Sequence, residues 1–126
     1  MRDAAGQALS RASLVVAVAV QLAVLYSPSA GGAVGVAGID KVVHIAVFGA
    51  VAVTGVRAGL PVRWLAGALL VHAVLSEVVQ AAFLAHRSGD PRDIAADVLG
   101  VALGLAAAGV RPRAWPRGPV RDRMVG

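Results

Sequence analysis

The sequence predicts an all-α membrane bundle of four transmembrane helices, and three observations carry that prediction. Apolar residues make up 58% of the chain and charged residues only 15%, against roughly 45–50% and about 25% in soluble globular proteins. The apolar residues fall in blocks instead of stripes with a period of 3.6. The charges gather at the block ends, as membrane topology requires. At 126 residues the chain is long enough for one domain. A domain that small exposes much of its surface, and this much apolar surface would aggregate in water.

Residues 1–11 are a short polar start, expected in the cytoplasm, with Arg2 and Arg11. The domain proper is expected over 12–110. Its first apolar run, Ala12 to Tyr26, is interrupted only by Ser13 and Gln21. About 15 residues is short for a span, where roughly 17–25 is usual. A signal peptide has the same basic start and apolar centre. A retained helix is the expectation, since Ser10 and Tyr26 can sit in the interface and lengthen it. The uncharged stretch Ser27 to Gly38, rich in Gly and Ala, reads as a loop.

Asp40-Lys41-Val-Val-His44 opens the second segment, which runs to about Val56. Gly59 and Pro61 break the chain in a basic turn from Arg57 to Arg63. The third segment, Trp64 to about Leu84, is the longest and carries His72, Ser76, Glu77 and Gln80. A polar turn from His86 to Arg92 leads into a fourth helix, Asp93 to about Val110. Residues 111–126 hold five arginines and three prolines and read as a disordered cytoplasmic tail.

Counting charges orients the four spans. With both termini in the cytoplasm, nine basic and two acidic residues lie inside. Three basic residues (Lys41, Arg87, Arg92) and five acidic ones lie outside. This N-in, C-in topology brings the ends of three helices to one extracytoplasmic layer. Asp40 and His44 enter the second helix there, Glu77 and Gln80 leave the third, and Asp93 and Asp97 enter the fourth. Ionisable groups in spans are costly and usually face the bundle interior, so a shared polar pocket is expected. Asp93 and Asp97 share one helix face, which Gly100 and Gly104 continue as a small-residue ridge. That ridge packs either within the bundle or between copies.

Each of these residues also has a plainer role. Asp40 and Asp93 could be helix N-caps. Glu77 could be clamped by Lys41 or Arg87, and His72 could join two helices by a hydrogen bond. The basic tail is expected to enforce topology and touch anionic lipid. No aromatic platform accompanies the dispersed basic residues, which excludes a nucleic-acid binder. Oxygen donors at Asp40, Glu77, Asp93 and Asp97, with a nitrogen donor at His44, are the raw material of a hard-metal site. Their spacing is that of no recognised motif, so no metal is assigned and no cofactor is specified.

At these residues the chain resembles the VanZ-like family of small bacterial membrane proteins. The matching pieces are Asp40-Lys41-x-x-His44 with Phe48, Glu77-x-x-Gln80, and Arg87 followed by Asp93 and Gly100-x-x-x-Gly104, spanning residues 40 to 104. The resemblance implies a compact multi-span helical domain in the bacterial cell membrane, with a link to low-level resistance to the glycopeptide teicoplanin. It implies functional positions at Asp40, Lys41, His44, Glu77, Gln80, Arg87 and Asp93. Asp97 stands where the family usually has asparagine, which adds a negative charge to the pocket. The leading expectation is a module that binds or modifies an envelope component, such as a lipid-linked glycan or a glycopeptide. In it Lys41 and Arg87 would hold an anionic group, while His44 and Glu77 exchange a proton and Asp93 stands as a further catalytic candidate. The alternatives are a structural or partner-binding membrane protein whose polar layer clamps helices, and, behind it, a small transporter.

Overall fold

A computed structural model describes residues 3–28, 38–84 and 89–112. They form four helices and no strand: α1 (Ala4–Tyr26), α2 (Ile39–Arg57), α3 (Val62–Phe83) and α4 (Pro91–Ala107). The all-α class expected from the sequence is thus observed. Three helices, α1 to α3, are long and apolar enough to cross a membrane. The fourth is 17 residues long, about 25 Å at 1.5 Å per residue. Most of the expected tail, residues 113–126, and Arg87 lie outside the described residues.

The first helix starts at Ala4, well before the apolar run does. Asp3 caps it, accepting a hydrogen bond from the Gly6 N–H at 2.8 Å. The hydroxyls of Ser10 and Ser13 donate to the carbonyls of Gly6 and Leu9, one turn back, so neither interrupts the helix. Residues 4–11 are therefore helical and not a separate polar segment. The resulting 23 residues reach about 34 Å, enough for a hydrocarbon core of about 30 Å.

Glycine explains where α2 and α4 stop. Gly59 and Gly109 adopt φ of 86° and 83°, the left-handed conformation that closes a helix. Around each, two backbone bonds close the last turn: Leu60 N–H to Gly55 O and Gly59 N–H to Val56 O, then Val110 N–H to Leu105 O and Gly109 N–H to Ala106 O. That cap ends α4 at Ala107, just short of where the apolar pattern runs out.

The contacts place α2 and α4 side by side and parallel, in their most extensive pairing with any neighbour. Their spacing is set by glycine. A Cβ at Gly100 would lie 2.5 Å from the Ile45 carbonyl oxygen, and one at Gly104 would lie 2.5 Å from that of Gly49. The ridge read from the sequence therefore packs inside the chain, and a contact between copies through Gly100 and Gly104 would have to displace α2. Helix α1 packs on α2 and α3 but not on α4. Phe48, Leu25, Val51 and Ala52 anchor the apolar core. Exposed Val15, Val16, Trp64, Val71 and Leu103 cover the outside, as lipid-facing positions do.

Candidate functional site

The close α2–α4 approach fixes what happens at the end where both helices begin. Lys41 and His44 project from the first turns of α2, Asp93 and Asp97 from the first turns of α4, and Glu77 from the last turns of α3. The Lys41 Nζ lies 2.6 Å from Asp93 Oδ1, 2.8 Å from Asp40 Oδ2 and 3.1 Å from Asp90 Oδ2. An ammonium has three N–H donors, and three carboxylates take them. Lys41 therefore has no donor left for an anionic ligand. Arg87, its expected companion, lies outside the described residues.

One turn deeper, His44 Nδ1 lies 2.7 Å from Asp97 Oδ1. Its Nε2 faces Asp93 Oδ2 at 3.8 Å. The histidine is thus flanked by two carboxylates of the same helix, placed by the spacing of four between Asp93 and Asp97. Glu77 approaches from α3, and its Oε2 accepts the backbone N–H of Asp90 at 2.9 Å. Lys41 is not the partner of Glu77, and the pairing expected with Arg87 lies outside the described residues. His44, Glu77 and Asp97 are 4%, 5% and 0% exposed. Each offers one donor atom, and the three atoms lie within 4.8 Å of one another.

The hydrogen bonding of this group is incomplete. Glu77 Oε1 and Asp97 Oδ2 are buried without a hydrogen-bond partner among the described residues. Buried carboxylate oxygens without donors are strongly disfavoured. The imbalance of charge points the same way. Among the described residues, five carboxylates (Asp40, Glu77, Asp90, Asp93, Asp97) surround one lysine and one histidine, with Arg92 exposed on the rim.

The other polar positions separate from this group. Gln80 is buried, but its Nε2 donates to the Leu25 carbonyl at 3.0 Å, tying α3 to α1. His72 Nε2 pairs with the Tyr26 hydroxyl at 3.1 Å, and its ring lies 5.6 Å from that of Phe48. It is the helix-joining histidine expected from its mid-span position. Gln21 is buried with its Nε2 unpartnered.

Two corrections concern caps. Neither Asp40 nor Asp93 is an N-cap: Gly38 holds that place on α2 and Asp90 on α4. Asp90 has a role that its place in a polar turn did not suggest. Its carboxylate caps α4 by accepting the Arg92 N–H at 2.9 Å and also meets Lys41, while its own N–H orients Glu77. The Arg92 N–H, and then the Lys41 ammonium, hold its carboxyl below the ordinary range. An aspartate directly before a proline that opens a helix is a recognisable cap signal, and Asp90-Pro91 carries it.

Comparison with protein-family models, curated proteins and solved structures returns no match for this chain.

Proposed function

We propose that the chain is a multi-pass protein of the bacterial cell membrane that binds or modifies a cell-envelope component at the layer built from Asp40, Lys41, His44, Glu77, Asp90, Asp93 and Asp97. In this reading all four helices span, both termini are cytoplasmic, and the layer opens to the extracytoplasmic side. The excess of basic residues at the opposite ends of the segments supports that orientation. The observation that carries the functional reading is the surplus, among the described residues, of carboxylate acceptors over cations, held from three helices. Such a layer favours a ligand rich in donors, sugar hydroxyls or amino groups, over the anionic group that Lys41 and Arg87 were expected to hold. A lipid-linked glycan and a glycopeptide both have that chemistry, and the VanZ-like residue pattern points to the same substrates.

A second reading has its own support. Lys41–Asp93 and His44–Asp97 each join α2 to α4, and Glu77 meets the entry to α4. A layer of that kind also clamps helices.

One experiment separates the two. A teicoplanin-sensitive bacterium expresses the wild type or Glu77→Gln at membrane levels matched by immunoblot. Protection by the wild type alone supports envelope binding. Equal protection by both, at equal levels, sinks the role given to Glu77. Loss of the variant protein itself, with activity per molecule unchanged, leaves the clamp as the reading.

A further inference from the structure

We propose that His44, Glu77 and Asp97 bind one divalent transition-metal ion, of the Zn²⁺ or Mn²⁺ type, at the buried base of the polar layer. The three donors come from three different helices, α2, α3 and α4, and converge within 4.8 Å. Two ligands of one ion, each at about 2.0–2.2 Å from it, stand roughly 3–3.5 Å apart. The site therefore closes on an ion with side-chain adjustments of about an ångström. His44 Nδ1 and Asp97 Oδ1, at 2.7 Å, are already near that separation, and coordination would replace their mutual contact.

A second observation is independent of that convergence. Glu77 is 5% exposed and Asp97 is fully buried, and each keeps one oxygen with no donor among the described residues. The other oxygen of each is held, Glu77 Oε2 by the Asp90 N–H and Asp97 Oδ1 by His44. Both carboxylates are thus oriented and each is left with spare acceptor capacity. A divalent cation neutralises two carboxylates at once. It removes the cost of burying them without donors.

Surrounding residues complete the pattern seen around bound metals. A histidine that binds metal through one ring nitrogen usually presents the other to a carboxylate, which fixes its orientation. Asp93 Oδ2 faces His44 Nε2 at 3.8 Å, and Lys41 holds the other Asp93 oxygen at 2.6 Å. Asp93 is thus a positioning residue and Lys41 steadies it. One nitrogen and two oxygens, with no cysteine in the chain, match Zn²⁺ or Mn²⁺ better than Cu⁺ or an iron–sulfur cluster. Three protein ligands leave positions open for water or a ligand hydroxyl.

The metal site follows from the geometry of the layer and not from the envelope reading, and its test uses purified protein alone. The full chain, purified in detergent with a tag free of histidine, is stripped with chelator and dialysed against micromolar Zn²⁺ or Mn²⁺. Metal per chain is then read by elemental analysis, and affinity by competition with a chromophoric chelator. The expected result is one ion per wild-type chain, with a Tm that rises on loading. Glu77→Gln and Asp97→Asn should lose the ion. Asp93→Asn, which keeps every ligand, should weaken binding by about 10–100-fold. It provides a readout even if the ligand variants fail to fold. A wild type that takes up neither metal overturns the proposal, and so does uptake unaffected by all three substitutions. Metal uptake together with unchanged teicoplanin susceptibility would sink the envelope reading and leave the metal site standing.

Discussion

The α2–α4 pair has two halves that solve opposite problems. Toward the Schellman-capped ends, Gly100 and Gly104 let the backbones touch and no polar side chain intervenes. Toward the starts of both helices, the same separation holds His44, Asp93, Asp97 and Lys41 within bonding distance. The lower half is complete in itself, since each missing Cβ is replaced by a neighbouring backbone. The upper half is not, since Asp97 Oδ2 lacks a donor among the described residues, as does Glu77 Oε1, which joins the layer from α3. A region that satisfies its own contacts is packing. One that leaves acceptors unsatisfied at 0–5% exposure has room for a donor or cation that the described residues do not supply. The close seam also makes the polar end possible, because side chains as short as aspartate reach across only where backbones are near.

The difference can be broken first at its polar half, where the largest effect is expected. His44→Ala removes one member of a buried pair and leaves Asp97 without its partner. The expected loss is about 3–5 kcal/mol of stability, read by denaturant unfolding in mixed micelles. Replacing both residues, as His44→Leu with Asp97→Leu, should restore much of it, because no polar group is then stranded. That recovery separates stability from function: the double variant should be folded and inactive in any assay that the layer governs. Equal losses for the single and double variants would remove the claim that the pair is the unit.

The packing half should respond less, and with a sign that depends on the glycine. Gly100→Ala drives a methyl group toward the Ile45 backbone, which no rotamer change can relieve. A loss of about 1–3 kcal/mol follows. A Cβ added at Gly67, inside α3, would meet nothing within 4 Å, so Gly67→Ala should gain about 0.5–1 kcal/mol from helix propensity. Equal effects at the two sites would mean that the seam is not as tight as the backbone distances make it.

Much of this was legible in the residues. Composition and the blocks of apolar residues specify helices, and the spacing of four from Asp93 through Gly104 specifies one face that carries both the carboxylates and the ridge. The meeting of Lys41, His44, Glu77 and Asp93 follows from the alternating direction of successive segments. Three things did not follow. The start of α1 depends on Asp3 as a cap and on two serine hydroxyls bonding back to the helix, which hydropathy alone does not register. Gln80 looked like a member of the polar layer because of its spacing of three from Glu77, yet its amide turns to the Leu25 carbonyl, a partner on a helix 55 residues away. The cap signal of Asp90 before Pro91 is local, but its contact with Lys41 spans 49 residues of sequence, and no local pattern reports that. Local signals fix elements and faces, whereas long-range partners depend on how closely helices approach.

Asp90 gives the finest test, because it belongs to both the helix cap and the ion network. Asp90→Asn keeps an oxygen to accept the Arg92 N–H but withdraws one of three charges from Lys41. Asp90→Ala removes both. If the cap matters more, the asparagine variant should be near wild type and the alanine variant weaker, with a loss below that of Gly100→Ala. The pH dependence has a definite sign. The Asp90 carboxyl is held below its ordinary value by the Arg92 N–H and by Lys41. Its stabilising contribution is therefore fully present above the unfolded value, about 3.9 for aspartate, and fades as pH falls through the lower folded one. Wild type should lose stability across that acid window by more than Asp90→Asn does, as read from parallel thermal melts. Identical acid profiles would show that Lys41 is held by Asp40 and Asp93 alone, and Asp90 would then be a cap and nothing more.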